Sequence, residues 1–230
     1  MRQNLISIYI SRSLISALLL LSPIGVMAKK HAETSDVKDS IPLFRNVAIS
    51  VDALGVGQLL LSDYGQYEVA LRVNLRDKFY PVVEVGLGTA DASDETTLLS
   101  YKTDAPYFRV GCDWNLLKNK HDIYRLYGGF RYAFTSFKYD VERTSPLEDP
   151  VWGGTSEFLA EGVKANYHWL EGCFGIDVKV AGPFRMGWSI RYRRRVMHDE
   201  GDIGRSWYVP GYGRSGNSRI GGTFNITLEL

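Results

Sequence analysis

The sequence predicts an all-β fold: an eight-stranded antiparallel up-and-down transmembrane β-barrel with short periplasmic turns and long outer loops. Three observations carry this expectation. Eight stretches alternate apolar and polar residues with a period of two, which puts the two sets on opposite faces of a strand. The connections between them alternate between tight and long. The polar side carries charges of both signs at interior depth, which an eight-stranded membrane barrel would have to pair within its lumen.

Composition agrees with this class. The chain of 230 residues, with 45% hydrophobic content, is long enough for one domain with a full core. Its 27 Lys and Arg nearly balance 26 Asp and Glu, so no global charge advertises nucleic acid as a partner. An aromatic content of 13%, including 14 tyrosines, together with 23 glycines suits strands and turns.

Residues 1–28 read as a signal peptide: Arg2 and Arg12 flank a polar start, residues 14–21 are an apolar run, and Val26-Met27-Ala28 ends in a small residue. That apolar run is too short to span a bilayer as a helix. No cysteine follows the cut, which argues against a lipid-anchored start. Residues 29–42 read as a flexible polar leader and 43–230 as the barrel.

The first strand covers residues 44–54, with Val47, Ile49 and Val51 opposite Asn46, Ser50 and Asp52. A connection through Gly55, Gly57, Asp63 and Gly65 leads to the cleanest alternation. There Tyr67, Val69, Leu71, Val73 and Leu75 oppose Glu68, Ala70, Arg72 and Asn74. After the tight turn Arg76-Asp77-Lys78, a third strand sets Phe79, Pro81, Val83, Val85 and Leu87 against Glu84, Gly86 and Gly88. Pro81 belongs near its start, because proline cannot donate to an interior ladder. An acidic connection over residues 89–103 precedes a fourth strand at 106–116, with Phe108, Val110, Cys112 and Trp114 against Arg109, Gly111, Asp113 and Asn115. Lys118-Asn119-Lys120-His121-Asp122 is turn chemistry.

Residues 123–139 form the fifth strand, with Tyr124, Leu126, Phe130, Tyr132 and Phe134 opposite Arg125, Tyr127, Gly129, Arg131 and Thr135. A polar stretch over 140–160 contains the Asp149-Pro150 break. In the sixth strand Gly172, Phe174, Ile176 and Val178 oppose Glu171, Cys173, Gly175, Asp177 and Lys179, with a phase slip near Trp169 that predicts a bulge. After Ala181-Gly182-Pro183, the seventh strand sets Phe184, Met186, Trp188, Ile190 and Tyr192 against Arg185, Gly187, Ser189, Arg191, Arg193 and Arg195. Residues 198–217 are the last long connection. The eighth strand, 219–230, carries Ile220, Phe224, Ile226, Leu228 and Leu230 opposite Thr223, Asn225, Thr227 and Glu229. In this register Cys112 and Cys173 fall on opposite faces of strands that are not neighbours, so they are read as unpaired.

Alternation alone also fits a soluble exported barrel with an apolar interior. The charges decide for a membrane barrel, since an arginine facing mid-bilayer lipid costs about 2–4 kcal/mol. The expected lumen network is Arg72, Arg109, Arg125, Arg131, Lys179, Arg185, Arg191, Arg193 and Arg195 against Asp52, Glu68, Glu84, Asp113, Glu171, Asp177 and Glu229. Phe79, Trp114, Tyr124 and Phe184 near the tight turns, and Tyr67, Phe108, Tyr132, Phe134 and Tyr192 toward the long loops, resemble two interfacial girdles. The apolar residues of the last strand, running to Leu230, match the terminal signal read by the barrel assembly machinery.

The run from Arg191 to Arg195 resembles a nucleic-acid patch as a string, but on a strand Arg194 points away from the others, toward the interface. His198, Asp199, Glu200 and Asp202 in one loop, and Asp91, Asp94 and Glu95 in another, lack metal-ligand spacing, so neither metal nor cofactor is expected. His168 or His198 with Ser206 is the weak catalytic alternative, a lipid acyl hydrolase or transferase. The chain has no Gly-x-Ser-x-Gly elbow and no phosphate loop. Trp152, Trp207, Tyr208 and Tyr212 place aromatics on long loops, as binding anchors or as a cap folded over the barrel mouth.

Ala105-Pro106-Tyr107-Phe108-Arg109-Val110-Gly111-Cys112-Asp113, Phe130-Arg131-Tyr132-Ala133-Phe134-Thr135-Ser136-Phe137-Lys138-Tyr139-Asp140, and Asp149-Pro150-Val151-Trp152-Gly153-Gly154 carry a resemblance. With Arg191-Tyr192-Arg193-Arg194-Arg195 and Trp207-Tyr208-Val209-Pro210-Gly211-Tyr212-Gly213, the chain resembles an uncharacterised Bacteroidetes outer-membrane β-barrel family, a domain of unknown function. That resemblance spans residues 44–230 and implies a barrel in the outer membrane with no established activity. The expectation is therefore a small barrel of the Gram-negative cell outer membrane, with a charge-filled lumen and a structural or binding role through its extracellular loops. Its expected partners are outer-membrane lipid, the barrel assembly machinery and an unidentified extracellular ligand, not nucleic acid. The alternatives are a narrow passage for small or apolar molecules, a lipid-modifying enzyme and a soluble carrier.

Overall fold

Each alternating stretch forms a strand, and the strands close on themselves. The computed structural model describes residues 42–148, 151, 153–199, 201 and 203–230. The signal-peptide and leader readings (apart from residue 42), the Asp149-Pro150 break, Trp152, Glu200 and Asp202 lie outside the described residues. The barrel strands are β1 (Phe44–Asp52), β2 (Tyr64–Leu75), β3 (Phe79–Asp94), β4 (Leu99–Asn115), β5 (Tyr124–Arg143), β6 (Leu159–Ala181), β7 (Phe184–Asp199) and β8 (Ser218–Glu229), with α1 (Ala53–Leu61) between the first two. Each strand pairs antiparallel with its neighbours in sequence. β8 returns to β1 with Ala48 opposite Glu229 and Asp52 opposite Asn225, closing the barrel.

The two faces separate as the alternation requires. Val69, Val83, Val110, Phe130, Ile176 and Ile190 are exposed on the outside, while Glu84, Arg109, Arg131 and Glu171 are buried inside. The girdle residues Phe79, Trp114 and Phe184 at one end, and Tyr67, Phe108, Phe134 and Tyr192 toward the other, all lie on the exposed side. Cys112 is half-buried, Cys173 is buried, and both are free.

Tight turns close one end. At Arg76-Asp77 both residues have positive φ, 54° and 55°, and Lys78 N donates to Leu75 O at 3.1 Å, the geometry of a type I′ turn. Asn74 and Asp77 hold it by a reciprocal clasp: Asn74 Nδ2 donates to Asp77 Oδ1 at 2.7 Å and Asp77 N donates to Asn74 Oδ1 at 2.8 Å.

Four features differ from the sequence expectation. The connection over 53–63 contains α1, capped by Asp52, whose side chain accepts from Leu54 N. The acidic connection at 89–103 is mostly strand, since β3 and β4 stay paired from Ala90–Thr103 out to Asp94–Leu99. Small and polar residues keep the period of two there but dilute its hydrophobic contrast. The stretch over 140–160 likewise continues β5 and β6, pairing as far as Glu142–Leu159, and adds a short ladder between Leu147–Glu148 and Thr155–Ser156. The bulge near Trp169 lies across from it: His168 pairs with Met197 and Trp169 with Arg195, so Val196 on β7 is the extra residue. Trp169 itself is in phase and fully buried. It looked out of phase because the lumen turns aromatic at that level.

Inward glycines make room for the rings of the residues paired with them on the next strand, as Gly86 does for Tyr107 and Gly175 for Tyr127. A Cβ on Gly86 would lie 2.2 Å from the Tyr107 ring, whereas one on the outward-facing Gly172 would meet nothing within 4 Å. Gly86→Val is expected to cost about 1–3 kcal/mol by overpacking, while Gly172→Val leaves stability unchanged or slightly raised. Urea unfolding of the refolded barrel, followed by tryptophan fluorescence, compares them; equal midpoints would mean that the Tyr107 ring does not pack on Gly86.

Candidate functional site

Inside the barrel the guanidinium groups of Arg72, Arg109, Arg125, Arg131, Arg185, Arg191 and Arg193 are equal in number to the carboxylates of Asp52, Glu68, Glu84, Asp113, Glu171, Asp177 and Glu229. All but Glu229 are buried, and its side chain is only 14% exposed. Glu84 is the hub of the half toward the long loops. Its oxygens accept from Arg131 Nε at 2.9 Å, from Arg191 Nη1 at 2.7 Å and Nη2 at 3.2 Å, and from Arg109 Nη1 at 3.3 Å. Arg109 also pairs with Glu68, and its Nε lies 3.0 Å from Glu171 Oε1 as an ion pair. Arg191 Nη2 reaches Glu68 Oε1 at 3.1 Å, and Arg193 Nε reaches Glu171 Oε1 at 3.2 Å.

Asp113 links this hub to the half toward the tight turns. It takes a two-pronged hydrogen bond from Arg131, at 2.6 and 2.9 Å, and an ion pair from Arg72 at 3.2 Å. Asp177 then receives Arg72 at 3.6 Å, Arg125 at 3.5 Å and Arg185 Nε at 2.7 Å, and Glu229 receives Arg125 at 3.0 Å. Aromatic rings cover the cations: Arg109 sits over Tyr107 at 4.5 Å, Arg125 over Tyr80 at 4.3 Å and Arg72 over Tyr127 at 5.1 Å.

Three members of the expected network behave differently. Lys179 is exposed near the Gly182 turn and takes no part in it, because β6 has already passed the rim there. Arg195 is half-buried at the mouth, where its Nη2 donates to Asn217 Oδ1 at 2.7 Å and its Nη1 reaches Tyr167 Oη at 3.3 Å. Asp52 is inside, but its Oδ1 accepts backbone hydrogen bonds from Leu54 and Phe224, each 3.1 Å.

The long connection before β8 closes the mouth. Tyr208–Val209 pairs with Gly213–Arg214, and Tyr212 N donates to Val209 O at 3.0 Å across Pro210-Gly211, with Gly211 at φ +77°. Proline followed by a positive-φ glycine makes a tight reversal, and its tip enters the barrel. Arg109 Nη2 donates to Gly211 O at 2.7 Å and Arg193 Nη1 to Tyr212 O at 2.9 Å. Tyr101 Oη donates to Tyr208 O at 2.7 Å, and Tyr208 Oη to Gly65 O at 2.9 Å. A Cβ on Gly88 would sit 2.7 Å from Pro210 Cα, and one on Gly211 2.4 Å from the Tyr107 ring.

Tyr208 and Tyr212 are therefore parts of a plug and not surface anchors, and burial raises both phenols above their usual range. Trp207 is half-buried at its edge, against Tyr64 and Tyr101. Inward Tyr101, Phe137, Tyr139, Tyr167 and Trp169 form an apolar cluster with the plug that sequence reading missed. Its signal was available in the period of two, which these residues share with the arginines below them. Of the residues of the catalytic alternative, Ser206 is buried beside the plug, whereas His168 and His198 line an outer groove with Asn166, Met197 and Asp199. Among the described residues no group of His, Cys, Asp and Glu is placed to hold a metal ion.

Because Glu84 answers Arg109, Arg131 and Arg191 together, Glu84→Gln leaves buried positive charge uncompensated and is expected to cost about 3–5 kcal/mol. Lys179→Gln should stay within about 0.5 kcal/mol. Guanidinium unfolding of the barrel refolded into vesicles checks both; a small loss at Glu84 would mean that water reaches these arginines.

The solved structure of Neisserial surface protein A (NspA) is similar over 80% of this chain and 94% of that one, with 10% identity and a TM-score of 0.42. Ail, the attachment invasion locus protein of Yersinia pestis, solved with the heparin analogue sucrose octasulfate, is similar over 80% and 93%, with 9% identity and a TM-score of 0.37. For CarO of Acinetobacter baumannii the shares are 83% and 98%, the identity 11% and the TM-score 0.39. No curated protein matches the chain. The family described as domain of unknown function (DUF6048) matches residues 10–230, and the chain belongs to that family.

Proposed function

We propose that the chain is a small barrel of the Gram-negative outer membrane, sealed inside, that serves a structural or binding role through its outer loops and is neither a channel nor an enzyme. One observation carries the reading: the charge network is inside, the apolar band is outside, and the plug closes the mouth. A soluble carrier needs the reverse arrangement, with an apolar cavity and a charged exterior. The exposed band of Val69, Val83, Val110 and Ile176 has the chemistry of a lipid contact, and the aromatic residues at its two ends suit the interfaces.

Strand length adds support. A tilted membrane crossing needs about 9–11 residues, and β1 has 9, whereas β5 has 20 and β6 has 23. The surplus in β3 to β6 stands above the bilayer as two tall hairpins. Buried Tyr208 and Tyr212 leave binding to other groups. Leu98, Leu99 and Leu159, exposed on neighbouring hairpin tips, have the apolar character of a contact surface.

Fractionated cells should hold the protein in the outer membrane, and it should migrate faster on gels before boiling than after. In planar bilayers it should give no steady openings, and lipid A and phospholipid acyl patterns should not change with its presence. Sustained conductance of the wild-type chain would sink the sealed-lumen reading, and an altered acyl pattern the non-enzymatic one.

A further inference from the structure

The barrel wall has a gap that a helix fills. β1 stops at Asp52, which is opposite Asn225 on β8, and its pairing with β2 ends at Val51–Val69. Beyond that level β8 runs on through Phe224 back to Ser218, and β2 through Glu68 back to Tyr64, with no β1 residue in register between them. α1 packs there, against β2 and β8. Asp52 makes the transition: one carboxylate oxygen caps the helix at Leu54 N and takes the Phe224 N–H, both at 3.1 Å.

The flanking strands are cut to receive the helix. A Cβ on Gly65 of β2 would lie 2.5 Å from Leu59 Cγ, and one on Gly222 of β8 would lie 3.7 Å from Leu54 Cδ2. Gly55 of the helix comes close enough to β2 that a Cβ would stand 2.7 Å from Gln66 O. The opposite side of α1 has no partner in the barrel: Leu60 is 80% exposed and Leu61 59%.

We infer that α1 is part of the lipid-facing wall and lies in the outer leaflet, with Leu60 and Leu61 against acyl chains. This rests on the membrane reading above. Two observations select lipid as the occupant. The helix continues the exposed apolar band, since Val51 and Tyr67 beside it and Ile220 on β8, at 76% exposure, all face outward. Its residues Ala53-Leu54-Gly55-Val56-Gly57-Gln58-Leu59-Leu60-Leu61 also contain no charge, the charge of this connection, Asp63, lying beyond the helix, whereas the other long connections carry Asp94 and Glu95, Glu157, or Arg205 and Arg214. A loop bathed in water has no need to exclude charge; a segment in hydrocarbon does.

The test uses the full-length barrel with Cys112→Ser and Cys173→Ser, refolded into phosphatidylcholine vesicles. A polarity-sensitive fluorophore is attached at Leu60→Cys, Leu61→Cys, Val69→Cys in the band, or Asp94→Cys at a hairpin tip. Labels at 60 and 61 are expected to be quenched several-fold more by a 5-doxyl lipid than by aqueous iodide, as at 69, with the order reversed at 94. Iodide quenching at 60 and 61 with lipid quenching at 69 would overturn the inference and leave the membrane reading standing. Protection from both quenchers would mean that protein covers the helix, which also overturns it. Iodide quenching at 69 as well would remove the membrane reading and this inference together.

Discussion

The fold depends on the obligation to neutralise guanidinium groups enclosed where water cannot. Removing one partner of a buried ion pair costs several kcal/mol, comparable to the whole stability of a small domain. Arg109, Arg131 and Arg191 therefore constrain every strand that answers them. Glu68 on β2, Glu84 on β3, Asp113 on β4 and Glu171 on β6 must each arrive at one level of the lumen. A one-residue slip of any strand would turn its carboxylate outward and its apolar neighbours inward. The network thus selects the register as well as filling the space.

Much of this was readable in the chain because a strand has only two faces. The period of two assigns Arg72 and Glu68 to one side and Val69 and Leu71 to the other without knowledge of any contact. The closure of the barrel was readable from strand number and from the alternation of turn lengths. What period two does not encode is where the contrast between faces fades. Ala90, Thr103 and Ala105 continue the inward phase of β3 and β4 as small or weakly polar residues, so the hairpin read as a loop. Trp169 is inward among charges, and an aromatic in that phase looked like an error when it marks the start of an apolar upper lumen.

α1 was illegible for a different reason. Its residues 53–61 include two glycines, poor helix formers, and sit between two convincing strands, so local preference favours a turn. Tertiary constraints override that preference: Gly55 permits close approach to β2, Asp52 supplies the cap, and a helix satisfies its own backbone where no strand partner is available. Lys179 was misplaced by the same local reasoning. Its phase is inward, but phase does not say where the wall ends.

The plug follows from a mismatch that charge counting hides. The lumen arginines and carboxylates balance as charges, yet a guanidinium group offers five N–H donors, and the carboxylates serving it are shared. At the outer end of the network, Arg109 spends its Nη2 on Gly211 O and Arg193 its Nη1 on Tyr212 O. Backbone carbonyls exposed by the Pro210-Gly211 reversal supply acceptors without adding negative charge. A further carboxylate there would upset the balance, and a purely apolar cap would leave donors unmet. The hairpin that closes the mouth is therefore the last member of the charge network, and moving it would expose the arginines that hold the barrel together.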